Sequence, residues 1–350
     1  MFRPARVRSF ARLPGFPFPF FVMLRLILSR LWQGALVLLV VSALTFGLLA
    51  AAGGDALTGL RNDPLMDERV IENLRRVYGL DRPLHVRYAR WLSRVARGDL
   101  GHSVTFHAPV SQILRPRLLN TLLLSALGLA FASVFSLALG AWAARREGWP
   151  ARLCEAIVLL TATAPRTLLA LAALAFAVRS SLFDAGPSSS SDAAWTWAAP
   201  ARALLPALVL SVPVVARLLA QARDGLGAAL REEFVRVARA KGLSERAVVL
   251  RHALRAALNP LVTVFGLSLG VLISGSVIVE TVLGWPGLGQ LSVAAVRGRD
   301  VPLLMGVVLI TSTAVLAGNL LADILQRAND PRLRDEEARA AVAASNLSAA

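Results

Sequence analysis

Four stretches of the chain, Leu31–Gly54, Leu118–Ala144, Ala256–Val279 and Val301–Ala322, contain no Asp, Glu, Lys or Arg. Each is longer than the ~20 apolar residues that carry a helix across ~30 Å of hydrocarbon. Two further apolar segments are less clean. Pro165-Arg166 interrupts about Leu153–Val178, and about Ala203–Ala222 contains Pro206, Pro213 and Arg217. The pattern predicts six membrane helices, with the first over about Leu24–Ala52, the fifth over Leu258–Val279 and the sixth over Pro302–Leu325. The fold class is all-α and polytopic.

Between the first two helices lies a polar segment, residues 53–117, too long for a bare loop. It carries two amphipathic patterns. Asp63 and Pro64 open the first, Val70, Ile71, Leu74 and Val77 share its face, and Gly79 ends it. Asp81 and Pro83 open the second, with Leu84, Tyr88, Trp91, Leu92 and Val95 on one face and Gly98 at its end. The segment reads as a capping subdomain or as a direct substrate contact. Residues 1–22 form a basic, Pro/Phe-rich extension, and Met23 reads as a fresh start. The organisation expected is a first helix over 23–52, the segment 53–117, a five-helix core over 118–327 with a connecting loop at 223–257, and a tail over 328–350.

Composition agrees with a membrane protein: 56% of residues are hydrophobic, 17% are charged and the mean hydropathy is +0.59. The net charge of +16 does not indicate nucleic acid, because the basic residues flank the apolar runs. There are nine basic residues in 217–257 and six in 1–30, against two each in the short loops 179–202 and 280–301. The positive-inside rule then places both termini and the 217–257 connection in the cytoplasm. The lone Cys154 excludes an intrachain disulfide, and with only four histidines no metal-ligand cluster can be read.

The cytoplasmic connection is the most informative segment. Glu232 to Lys241 forms a helix with acids early and bases late, matching the helix dipole. Gly242 supplies the positive φ that closes it, and Ser244 caps a second helix with Glu245 in its first turn. Leu250, Leu254 and Leu258 then recur at four-residue spacing up to Asn259-Pro260. A short helix, a glycine turn and a second helix make a rigid projection able to lodge in a partner. The chain has no motor of its own: its only lysine, Lys241, is not preceded by glycine nor followed by Ser/Thr, as a phosphate-binding loop requires.

Residues Val235–Gly242 with Leu243-Ser244-Glu245-Arg246, and Leu250–Arg255 before Asn259-Pro260, resemble the cytoplasmic loop of a known family. That family is the inner-membrane permeases of binding-protein-dependent ABC importers, in the dipeptide/oligopeptide/nickel branch. Tyr78–Pro83, Gly98–Ser103, Glu280–Gly289, Asp330-Pro331-Arg332 and Met23–Leu31 are similar to further segments of that branch, in the same order. The resemblance implies a permease fold that is N-in and C-in, multi-pass in the bacterial inner membrane, and half of a pathway for peptides, nickel or similar small solutes. It implies four kinds of partner: a second homologous permease, two ATP-binding subunits carrying ATP and Mg, a periplasmic or lipid-anchored solute-binding protein, and membrane lipid. It also implies a coupling helix at Glu233, Phe234, Val235, Arg236, Ala238, Arg239, Ala240, Lys241, Gly242 and Leu243 that docks into the ATPase. The chain departs from the pattern at Arg166, where an apolar residue is usual, at Met305, where a polar one is expected, and near Leu254-Arg255, where a proline is absent.

No residue is assigned a catalytic role. Arg166 is costly at membrane depth. It lines the substrate path and meets a peptide carboxylate, pairs with an acid of the partner permease, or lies at the head groups. Ser268, Ser274 and Ser276 serve a pore or helix packing. Glu280 seats the binding protein, forms a gate, or belongs to a re-entrant structural turn. Asn319 and Asp323 make helix or head-group contacts. The rival class is an ATP-independent secondary transporter, which requires intramembrane carboxylates for ion coupling.

Overall fold

The computed structural model describes residues 18–52, 69, 82–146, 148–180 and 199–329. Among them the elements are α1 (Phe18–Ala51), α2 (Leu84–Val95), α3 (Val110–Ala143), α4 (Trp149–Thr163), α5 (Arg166–Ser180), α6 (Ala199–Arg231), α7 (Glu233–Ala240), α8 (Leu254–Val282), α9 (Leu288–Arg297) and α10 (Val301–Asn329). The only other pairing among the described residues is an isolated bridge between His102 and Pro109. The amphipathic helix expected around Val70–Val77, residues 1–17, 181–198 of the polar loop and the tail beyond 329 lie outside the described residues.

Five stretches, Ile27–Ala51, Val110–Ala143, Arg202–Arg231, Pro260–Val282 and Val301–Gln326, are long and apolar enough to cross a membrane. Helices α4 and α5, bent by 98° at their junction, are together long and apolar enough to count as one broken span, which would bring the spans to six. Pro165 explains the break: it disfavours helical geometry in the residue before it, and Ala164 is extended at φ −65° and ψ 119°. Helix α6 runs on to Arg231, beyond the Ala222 expected from hydropathy. Leu226 and Ala229 are buried there and continue the apolar face beneath the charged Arg223 and Asp224.

The core forms where α3, α4, α5 and α8 gather around α6, with Leu124, Leu218, Leu219, Leu226 and Leu272 buried at its centre. Small residues set the approach of the helices, as expected where lipid supplies no hydrophobic drive between them. A Cβ on Gly140 would stand 2.8 Å from the Ala222 Cβ, and one on Gly266 would collide with Ala322. Helix α1 packs on α10, where Arg30 Nε meets Asp323 Oδ2 at 2.8 Å. Asp323 is thus a helix-to-helix contact.

Helix α2 turns a narrower face inward than its pattern suggested. Trp91 is buried with Phe46 and Met305, and Tyr88 and Val95 pack beside them, while Leu84 and Leu92 are exposed. Tyr88 Oη lies 2.9 Å from Ser42 Oγ and donates to the Leu39 carbonyl at 3.2 Å. Met305 therefore fills a gap between α1, α2 and α10. At the same end of the bundle Asp300 is fully buried before α10. Its Oδ1 accepts from the Leu303 amide at 3.1 Å, while Oδ2 accepts from Ser103 Oγ at 2.6 Å and the Thr105 amide at 2.9 Å. One carboxyl group caps α10 and clamps the 103–105 turn to it.

Replacing Gly266 by valine should overpack the α8–α10 contact and cost about 1–3 kcal/mol. The purified variant should melt at a lower temperature in detergent. A melting temperature equal to the parent's would show that the close approach carries no weight.

Candidate functional site

Helix α7 and the turn after it form a self-contained unit. The Leu243 amide donates to the Ala238 carbonyl at 3.4 Å and the Gly242 amide to the Arg239 carbonyl at 2.9 Å, with Gly242 at φ +76°. This is the Schellman closure, which favours glycine because a Cβ is strained at positive φ. Ser244 caps the next turn by accepting from the Ala247 amide at 3.4 Å. Arg239 spans the corner: its Nε donates to Glu245 Oε1 at 2.8 Å and its Nη2 to Oε2 at 3.3 Å. That hydrogen bond holds the Glu245 carboxyl below the usual carboxylate range.

One face of α7 is committed to the protein, because Val235 and Ala238 are buried with Val248 and pack on Leu230. The other face presents Phe234 at 42% and Val237 at 54% exposure, continued by Leu243. Among the described residues Arg236 pairs with Glu233, in the same helix, and Lys241 is the C-terminal cap residue, also exposed. The expected Leu250-Leu254-Leu258 stripe is broken. Val248–Ala253 forms a π turn, in which Val248, Val249 and Ala253 face inward and Leu250 is exposed. The wider i→i+5 winding shifts the register that a period of 3.6 assumes.

Arg166 opens α5 at the 98° break. It is half-buried, and its guanidinium lies against Gly275 of α8, where a Cβ would collide with it. Arg166 makes no hydrogen bond or ion pair with any described residue. The serines separate. Ser268 and Ser276 are buried inside the subunit and donate to their own helix, to the Val264 carbonyl at 2.7 Å and the Ile273 carbonyl at 3.0 Å. Ser274 is the exposed one, although its hydroxyl also donates back, to the Gly270 carbonyl at 2.9 Å. The open stripe of α8 thus runs through Leu267, Ser274 and Ile278, away from Ser268 and Ser276.

Glu280 is fully buried. Its Oε1 accepts from Thr121 Oγ1 at 2.8 Å, and its Oε2 from the amides of Gly289 at 2.6 Å and Gln290 at 3.2 Å. Thr121 Oγ1 in turn accepts from the Leu288 amide at 2.8 Å. Glu280 and Thr121 therefore satisfy the first three amides of α9, which have no partner within a helix. Asn120 Nδ2 donates to the Pro286 carbonyl at 2.7 Å and Trp285 Nε1 to the Asn120 carbonyl at 3.2 Å, closing the turn from 283 to 287. Gly287 and Gly289 leave room for the carboxyl group, which a Cβ on either would crowd. Of the roles considered for Glu280, this geometry is that of the structural turn. Sequence reasoning missed Thr121 and Asn120 as its supports, and it missed Asp300 as the separate cap of α10.

Substituting Glu280 by alanine leaves the buried Gly289 amide and the partly buried Gln290 amide unpaired, at about 1–3 kcal/mol for the buried group. Limited proteolysis should then cut within 283–300, where the parent resists. An unchanged cleavage pattern would remove the latch role.

Two family descriptions match the chain. "Binding-protein-dependent transport system inner membrane component" covers residues 136–335, and the corresponding N-terminal membrane component covers 23–124. A putative peptide permease protein of Brucella ovis is 37% identical over 317 residues, covering 89% of this chain and 99% of that protein. A glutathione transport system permease protein of Salmonella paratyphi A is 36% identical over 313 residues, with 89% and 99% covered. A similar glutathione permease of Escherichia coli is also 36% identical. With its apolar spans, its buried Glu280 latch and its α7 turn, the chain belongs to the inner-membrane permease components of bacterial binding-protein-dependent ABC importers, and is a multi-pass protein of the inner membrane.

Proposed function

We propose that the chain forms one half of the translocation pathway of an ATP-driven importer for peptides or similar small solutes. A second homologous permease supplies the other half, two separate subunits bind ATP and Mg, and a binding protein delivers the solute. Both termini and α7 face the cytoplasm. The observation that carries the reading is α7 itself. It buries one apolar face on the chain's own Leu230 and Val248 and leaves Phe234 and Val237 open on the other. A helix held rigidly by its own turn, with a second apolar face unspent, fits a groove on a partner.

ATP binding draws the two ATPase subunits together, and the coupling helices of both permeases follow them. Leu230 ends α6, and Val248 begins the π turn into α8, so displacement of α7 is passed to two spans at once. The chain supplies no group for hydrolysis in this scheme. The names of the relatives, peptide and glutathione permeases, support a peptide-like solute. A secondary transporter is less well supported, because the carboxyl group of Glu280 is committed to Thr121 and α9 and that of Asp323 to Arg30. Arg166 lines the pathway at the α4–α5 break, beside the open stripe of α8.

Purification of the tagged chain in mild detergent should recover a stoichiometric ATPase and a second permease. Val237→Asp changes an exposed position and should abolish ATPase recovery while leaving the melting temperature unchanged. Gly242→Ala should instead preserve assembly and lower uptake, because strain at positive φ reshapes the coupling turn. A stable chain that purifies alone from cells expressing its natural neighbours would sink the importer reading. Separately, Arg166→Gln should alter the solute range or rate of the assembled importer, and unchanged uptake across solutes would remove Arg166 from the pathway.

A further inference from the structure

At the end of the bundle that carries α7, a cavity of about 330 Å³ opens between α6 and α8. Arg217, Ala220, Gln221 and Asp224 line it from α6, and Val264 and Leu267 from α8. The four α6 residues fall at three- and four-residue intervals and so share one helix face. Arg217 and Asp224 are exposed, and neither makes a hydrogen bond or ion pair with a described residue. Their neighbour Arg223 behaves differently, turning to α4 and pairing with Glu155 at 2.7 Å.

The two charges sit at different depths. Gly140, a turn before the end of α3, packs on Ala222 and Arg223, so Asp224 lies at the mouth of the bundle. Arg217 is two helical turns further in, about 10 Å along the axis. A cation within a span requires water or a counter-charge beside it. The groove thus presents a positive group deep, a negative group shallow, a carboxamide between them and an apolar wall opposite. An extended chain covers about 3.3–3.6 Å per residue, so the two termini of a peptide of two or three residues match that separation. The volume lies within the range of about 300–1,000 Å³ found for small-ligand sites.

We infer that this groove is a subsite for short peptides with free termini, with Arg217 receiving the terminal carboxylate, Gln221 a peptide group and Asp224 the terminal ammonium. The inference rests on the peptide-importer reading and adds a chemical criterion to it: the subsite reads both ends of the peptide and leaves its side chains to the apolar wall.

The test uses the complete importer, with its partner permease, ATPases and binding protein, in proteoliposomes. The probes are trialanine, trialanine amide and N-acetyl-trialanine. The binding protein is common to every arm, so each result is the ratio of variant to parent uptake. Arg217→Gln should lower trialanine uptake about tenfold and leave the amide nearly unchanged, because only the free carboxylate loses a charged hydrogen bond. Asp224→Asn should do the same to trialanine relative to its N-acetyl form, and Arg217→Lys should keep the preference for the free acid. If Arg217→Gln fails to assemble, the Asp224 and lysine arms decide. Parallel loss for all three probes would assign the groove to contact with the second permease and overturn the inference, as would no change. A parent complex that takes up none of the peptides would instead overturn the peptide reading, and this inference with it.

Discussion

Hydrocarbon offers no hydrogen bonds, so each helix end within or beside the bilayer must be satisfied by the protein itself. That constraint organises the end of the bundle where α9 sits. A tight turn followed by a short helix leaves amides that water would otherwise solvate. Glu280 and Thr121 take the first three amides of α9, Asp300 takes one at the start of α10, and Asn120 holds the intervening carbonyl. The donors and acceptors come from α3, α8 and the loop before α10, so these elements are fixed relative to one another by the same bonds that cap the helices.

Among the described residues the arginines divide by partner: some are ion-paired, Arg117 donates to the Gln290 carboxamide at 3.1 Å, and others face an open surface. Arg30 is paired with Asp323 and Arg223 with Glu155, each tying one helix to another. Arg166 and Arg217 are not tied in this way. Both stand beside the open face of α8, one against Gly275 and the other across from Val264 and Leu267. The buried serines Ser268 and Ser276 lie on the packed side of the same helix, where hydroxyls donating to their own backbone allow close contact without an unpaired group.

The spans, the break at Pro165 and the glycine turn after α7 could be read from the sequence because each is set locally. Hydropathy fixes a span, proline limits its predecessor, and a glycine after an amphipathic helix marks a positive-φ stop. The other features are non-local. Glu280 and Thr121 are 159 positions apart, and Asp300 and Ser103 are 197 apart, so no periodicity joins them. One signal was available: an aspartate directly before Val301-Pro302 is a helix-start pattern. Leu250 was misplaced because the π turn breaks the period on which its assignment rested. The length of α6 was underestimated because Arg223 and Asp224 mask an apolar face that continues beneath them.

The small core of Val235, Ala238, Val248 and Leu230 links the two parts of the molecule that the proposed importer requires. It is too small to stabilise a domain, and it is placed where α6 ends and the π turn into α8 begins. In the proposed importer, a force applied to the open face of α7 therefore reaches both helices through packed side chains. Those same two helices are the walls of the groove that holds Arg217 and Asp224. If α7 moves with an ATPase as proposed, the displacement reaches both walls of this groove, which couples α7 to the proposed peptide subsite. The π turn of Val248–Ala253 stands at that junction, so in the proposed importer it is the first part of the α8 arm to receive a displacement of α7.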